Sequence, residues 1–352
     1  MDSAELKRLA TGILIPELPG LILTAGVRKF LEEGGKAVLL GETRTEYVER
    51  RMSDERRSSE TSDMIKSLTD EMADIVGARV LVAIDQELTG INRLHDLVTP
   101  LPSLDQVHQM ESEDIVSLTQ RLGEEMLSLG VTMNFAPVLD VMTGPNGWLD
   151  GRHFGDDATE VARIGSAFVT GMRRAGVVVT AKHFPGHRGS SHDPAIEIGT
   201  VPPNTDGIQR DLLPFRAVVD AGVAAVMMGP TIIEALDASL PSSRSATTIA
   251  LLREELGFDG LVVTDDLNSH SNLRGASIPT AAVEALNAGA DLLLVTGQVS
   301  SDGDLDTISE AIVTAVNAGV VQPGRLIAAA TKVAAAVGRA TGARPQGETS
   351  TH

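Results

Sequence analysis

Lys182, His183 and His187 stand together in the segment Lys182-His183-Phe184-Pro185-Gly186-His187, directly after a run of β-branched apolar residues. A Lys and two His wrapped around a Pro-Gly bend place cationic donors at a tight turn, where a buried core would tolerate them only with polar partners. With His192 and Asp193 close behind, His183 and His187 also form a candidate metal cluster. No recognised zinc spacing such as HExxH accompanies it, so no metal is expected. Elsewhere, Asp85, Asp140 and the pair Asp265-Asp266 end other apolar runs. An Asp at such a place caps the next helix or belongs to a site. Four chemically capable ends together favour a site.

These residues need a scaffold that gathers positions distant in sequence. Eight short apolar runs, at 12–18, 36–40, 80–87, 131–140, 177–184, 224–231, 261–266 and 291–297, read as strands separated by helical patterns. Their apolar character on both faces suits a parallel sheet buried on both sides. The count and alternation predict a (β/α)8 (TIM) barrel in the α/β class, in which every strand C-terminus opens on one face. No linker or internal repeat divides the chain, so residues 1–340 are expected to form a single barrel domain and 341–352 a flexible tail. Residues 45–78 are densely charged with mixed signs, which predicts one or two solvated helices.

Composition narrows the function further. The 352 residues carry 48 acidic and 29 basic side chains, a formal charge of −19 that repels a polyanion, so nucleic acid is not an expected partner. There is no cysteine, which excludes a disulfide framework, a thiolate nucleophile and Cys-ligated zinc. No export signal or membrane-spanning run is visible, and a cytoplasmic location is expected. The pattern specifies no oligomeric state. Aromatic residues amount to 3%, so a small substrate is expected rather than a long polymer stacked on aromatic faces, with Trp148 the one candidate platform.

The segments KHFPGH (182–187), IDQE (84–87), NFAPVLDV (134–141), GRHFG (151–155), DLLPFRAVVDAGV (211–223) and LREELGFDGLVVTDDL (252–267) lie in collinear order. In them the chain resembles the β-N-acetylhexosaminidase (β-N-acetylglucosaminidase) branch of glycoside hydrolase family 3. The resemblance implies a cofactor-free, retaining exo-glycosidase that removes a terminal N-acetylhexosamine from a small amino-sugar conjugate. It makes Asp265 the nucleophile, in Thr264-Asp265-Asp266-Leu267, and gives Asp266 a capping or orienting role. It assigns Asp85, Arg93, Arg152, Lys182 and His183 to sugar binding, with Lys182 a ligand contact rather than a core residue.

Two stretches depart from that branch. The usual EGG reads Glu87-Leu88-Thr89, and the loop after KHFPGH reads Arg188-Gly189-Ser190 and then Asp193-Pro194-Ala195 where the branch has Asp-Ser-His. The acid/base imidazole is thus absent from its expected place. His192, next to Asp193, and Glu197 are the two candidates to replace it. The departure also leaves open a changed reaction, such as phosphorolysis or processing of an amino-sugar conjugate in specialised metabolism, and a sugar- or partner-binding protein without turnover.

Overall fold

Each of the eight apolar runs forms a strand: β1 (Leu14–Leu18), β2 (Ala37–Leu40), β3 (Leu81–Ile84), β4 (Met133–Asn134), β5 (Val178–Phe184), β6 (Ala225–Met228), β7 (Leu261–Thr264) and β8 (Leu293–Val295). The computed structural model describes residues 1–144, 146–189, 193–202, 205–297 and 304–340, so the tail expected at 341–352 lies outside the described residues. All ladders between neighbouring strands are parallel, and almost every strand residue is buried, as their uniformly apolar sequences require. The sheet closes where Thr264 N–H donates to the Leu292 carbonyl at 3.0 Å and Leu267 N–H to the Leu294 carbonyl at 2.9 Å. The fold is therefore the expected (β/α)8 barrel.

Strand β4 is short because a side chain takes over its pairing. The Asn134 amide accepts from Gln86 N–H at 3.1 Å and donates to the Gln86 carbonyl at 3.0 Å, extending the β3–β4 ladder by one residue. Around the barrel, the helices Ser112–Ser128 and Ala158–Ala175 pack backbone to backbone. A Cβ at Gly171 would lie 2.4 Å from the Val116 carbonyl, so only glycine permits that approach. A further parallel ladder, Thr200–Val201 with Ile232–Ile233, fastens the segment after KHFPGH to the β6 side of the mouth.

Residues 44–76 fold as three helices, Arg44–Glu49, Asp54–Ser59 and Ser62–Val76. The first two are exposed over most of their residues, as expected, but they carry a buried ion pair between them. Glu46 is 2% exposed and Arg56 8%, joined by Nε–Oε1 and Nη2–Oε2 contacts of 2.9 Å. Mixed charge signs describe a solvated face and a buried ion-pair network equally well, and tertiary contacts choose between them. No helix among the described residues is long and apolar enough to cross a membrane.

At the opposite end of the barrel, the fully buried Asp291 precedes β8. It accepts from Val262 N–H at 3.0 Å and from Arg253 at 2.6 Å, and it also pairs with Arg325. Asp291→Ala would strand two guanidinium groups in the barrel floor. It is expected to cost about 3–5 kcal/mol in urea unfolding with the site geometry unchanged. A loss below about 1 kcal/mol, the value of an exposed pair, would show that the floor network is dispensable.

Candidate active site

The strand C-termini surround a cavity of about 1380 Å³. Lys182, His183, Asp85, Arg152, Asp265 and Trp148 all line it, so the barrel gathers residues that the sequence places up to 180 positions apart.

Asp140 organises the KHFPGH turn. It is fully buried, and each of its oxygens receives two donors. Oδ2 accepts from His183 N–H at 3.2 Å and faces His183 Nδ1 at 2.9 Å; Oδ1 accepts from His187 N–H at 2.8 Å and faces His187 Nδ1 at 3.0 Å. A carboxylate with this many donors is held well below its usual range despite burial. Each imidazole therefore turns an Nδ1–H toward the carboxylate. Burial pushes His183 down to about 3, against the pull of Asp140, so its ring is neutral at physiological pH. Trp148 packs on His183 with ring centroids 4.6 Å apart. It is 4% exposed and its indole N–H donates to the Tyr47 hydroxyl at 2.6 Å.

Among the described residues, Asp140, His183 and His187 are the one His and carboxylate group whose ligand atoms all lie within 4.8 Å of one another. Amide and ring N–H groups already fill the carboxylate, an orienting arrangement. Of the candidate cluster of the sequence, Asp193 pairs with Arg44, and His192 lies outside the described residues.

A second buried carboxylate, Glu87, holds the cations. Arg152 donates to it from Nε at 3.0 and 3.1 Å and from Nη2 at 2.6 Å, while Lys182 Nζ lies 2.8 Å away and also pairs with Asp85. These two charges hold Glu87 well below the usual carboxylate range although burial opposes them. Lys182 and Arg152 are each 2% exposed. Lys182 thus lines the cavity and is at the same time part of a buried network.

Arg93 does not line the cavity. Its Nε donates to the Gly41 carbonyl at 2.8 Å and its two Nη atoms to Glu60 at 2.8 and 3.1 Å, so the side chain is occupied by the Glu46–Arg56–Glu60 network. Burial would raise Glu60, but the His95 imidazole 3.6 Å away and the Arg93 and Arg56 guanidinium groups hold it at about 2.

Asp265 ends β7. Its N–H donates to the Met228 carbonyl at 3.0 Å, and its Oδ1 accepts from Asp266 N–H at 2.6 Å. Oδ2 points to the cavity side, 3.8 Å from His183 Nε2. Burial pushes the carboxyl up to about 6, with the Asp266 charge adding to the effect and the Asp266 amide opposing it. Asp266 accepts from Asn268 N–H at 2.9 Å and from Thr296 N–H at 3.0 Å and Oγ1 at 2.7 Å, the bonds of a turn-capping residue.

The altered loop crosses the mouth. Pro194, Ala195 and Ile196 line the cavity, and the Pro194 and Ala195 carbonyls accept from Ser271 N–H at 3.0 Å and His270 N–H at 3.3 Å. Asp193 closes the turn through Oδ1, which accepts from Ala195 N–H at 3.0 Å. Glu197 is exposed and is not part of the lining, and Arg188 is buried with its Nε 3.4 Å from Asp211. Sequence reasoning missed Glu17, Glu42 and Tyr47, which also line the cavity. Nothing in their local context separates them from strand-end and surface residues.

A closed β/α barrel whose strand-7 carboxylate faces a cavity walled by buried Lys, Arg and His is the scaffold and site of a barrel glycoside hydrolase. The glycosyl hydrolase family 3 N terminal domain matches residues 38–336, and the chain belongs to this family. It is 31% identical over 248 residues to a β-hexosaminidase of Hydrogenovibrio crunogenus, covering 68% of this chain and 69% of that one. It is 33% identical over 243 residues to the β-hexosaminidase LpqI of Mycobacterium tuberculosis, covering 66% and 62%. A family 3 β-N-acetylglucosaminidase from a Paenibacillus species superposes with a TM-score of 0.85 at 30% identity, covering 95% of this chain and 62% of that one. The matched regions thus span less than two thirds of the Mycobacterium and Paenibacillus proteins.

Arg93→Ala removes the side chain that donates two hydrogen bonds to the buried Glu60 and leaves it only Arg56 and His95. Stability is expected to fall by about 3–5 kcal/mol in urea unfolding at pH 7, with ligand affinity changed less than about threefold. The stabilisation from Glu60 is present above its unfolded-state value of about 4.3 and fades as pH falls toward 2, so wild type and variant should converge in acid. A loss of affinity at unchanged stability would restore Arg93 to the binding site.

Proposed function

We propose that this chain is a retaining exo-glycosidase that releases a terminal N-acetylhexosamine from a small glycoconjugate through a glycosyl ester on Asp265. The named activities of the relatives support the sugar class. The observation that carries the chemistry is the Asp265 carboxylate, with one oxygen fixed by the Asp266 amide and the other turned to the cavity beside a neutral His183. That oxygen attacks the anomeric carbon as the glycosidic bond breaks, and water later releases the sugar. Asp85, Lys182, Arg152 and His183 grip the sugar through charge-assisted hydrogen bonds, and the buried Glu87 and Asp140 hold three of these four in place. The cavity, about 1380 Å³, exceeds the ~300–1,000 Å³ of common small-molecule sites, which favours a conjugate over a sugar alone. The reaction calls for no cofactor.

The leaving oxygen needs a proton, and Glu197 is exposed and outside the lining. His192 with Asp193 is our assignment for the acid/base pair. On this assignment His192→Ala slows unactivated glycosides by about 10²–10⁴-fold and nitrophenyl glycosides far less, because a nitrophenolate leaves without protonation. Equal rates for variant and wild type on both substrates would remove the imidazole from the mechanism.

Hydrolysis of 4-nitrophenyl N-acetyl-β-glucosaminide tests the whole reading. Asp265→Asn is expected to lower kcat by roughly 10³-fold or more. In the wild type, kcat/KM should fall about tenfold per pH unit below about pH 6, where Asp265 takes up a proton. A carboxyl raised by folding costs stability above its unfolded value, so Asp265→Asn should also raise Tm at pH 7. A variant that retains turnover would place the nucleophile elsewhere.

A further inference from the structure

Directly after the KHFPGH turn the chain buries a cation that does not line the cavity. Arg188, one of the departures from the family pattern, is 8% exposed, and its Nε lies 3.4 Å from Oδ2 of Asp211, which is 3% exposed. Asp211 belongs to the segment DLLPFR and stands on the helix Thr205–Asp220. That helix makes room for the guanidinium one turn earlier, where a Cβ at Gly207 would fall 1.0 Å from Arg188 Nη1 and 1.9 Å from its Cζ. The side chain thus lies directly on the helix backbone, in a seat that only glycine leaves open. Asp211 also packs on the turn itself, since a Cβ at Gly186 would come within 2.9 Å of the Asp211 Cβ.

The pair stands where the fixed turn gives way to the altered loop. Upstream, His187 is held by Asp140, and its carbonyl accepts from the Asn146 amide at 2.9 Å. Downstream, Gly199 N–H donates to Ser271 Oγ at 3.2 Å, and Thr200–Val201 pairs with Ile232–Ile233. Between these ends, residues 194–196 form cavity wall and Asp193 meets Arg44. Burial pushes the Asp211 carboxyl up to about 7; the Arg188 charge is the foremost effect opposing this, the Asp140 charge adds to it, and His187 and Arg210 also face the group. An ion pair taken out of water is costly to break by loss of one partner, so each of these two side chains fixes the other.

We infer that Arg188 and Asp211 are positioning residues for acid/base catalysis: their pair, seated on Gly207, fixes where the segment of His192 and Asp193 leaves the KHFPGH turn, and so where its proton donor meets the leaving oxygen. The inference rests on the glycosidase reading and on the assignment of the acid/base pair to this segment. Neither Arg188 nor Asp211 lines the cavity, so both act through the segment rather than on the substrate. Their leverage is large because a misplacement of about 1 Å at a reacting group costs on the order of 10²-fold in rate.

Gly207→Ala is the test, because it evicts the guanidinium without altering any charge, and alanine in place of a helical glycine should leave Tm unchanged or raised. On methyl N-acetyl-β-glucosaminide kcat is expected to fall about tenfold or more, and on 4-nitrophenyl N-acetyl-β-glucosaminide less than about threefold, with KM little changed. Asp211→Asn should reproduce this split. Arg188→Lys, which keeps the charge but not the planar group, should recover part of the rate lost in Arg188→Ala. A second readout needs no turnover: the amides of Ala195, His270 and Ser271 donate to acceptors within residues 193–195, and their hydrogen exchange should quicken about tenfold in Gly207→Ala. Equal losses on the two substrates, or wild-type rates and wild-type exchange in Gly207→Ala, overturn the inference. A wild type that turns over neither substrate defeats the glycosidase reading alone, and exchange then decides whether the pair anchors the segment. Turnover of both substrates with unchanged exchange in Gly207→Ala defeats the anchor alone.

Discussion

The site depends on the rule that a carboxylate taken out of water must be matched by donors or cations, and Asp140 and Glu87 are where that rule acts. Asp140 satisfies itself with two amide and two imidazole N–H groups of one hexapeptide, so the KHFPGH turn has its ring orientations prescribed from beneath. Glu87 does the same for Arg152 and Lys182. The groups that face the cavity are consequently held by partners deeper in the barrel, and a ligand meets a preorganised surface.

Environment divides the carboxylates of one rim into two populations. Asp140, Glu87 and Glu60 are paired and held low; for Asp265, Glu17 and Glu42 desolvation outweighs the effect of their partners and pushes them high. The first population supports the architecture. The second stores unfavourable electrostatics that a bound molecule, or a reacting one, can relieve, and such separation of similar groups accompanies division of chemical labour.

The altered loop follows a different logic. Its residues 193–196 are anchored by backbone carbonyls to the amides of 270 and 271, and Asp193 is tied to Arg44 across the mouth. The segment presents Pro194, Ala195 and Ile196 to the cavity. The change from the family pattern therefore falls on an apolar portion of the wall.

The eight strands, the barrel and the strand-end residues Asp85, Asp140, Lys182, His183 and Asp265 were legible from the sequence by itself, because β-branched apolar runs and their polar ends are local signals and barrel closure makes those ends converge. The roles of Arg93, Tyr47, Glu17 and Glu42 were decided only by tertiary structure. Arg93 carries a family motif position, yet its guanidinium is claimed by Glu60, 33 residues away, across a helix pair whose charges read as solvated. Tyr47 sits in the same charged stretch and reaches the cavity by accepting from Trp148 and Arg152. Glu17 and Glu42 look like ordinary strand-end residues until β1, β2 and β3 stand side by side. Whether a buried charge meets an opposite charge, a like charge or nothing depends on which strands are neighbours in space, and no local pattern of residues encodes that.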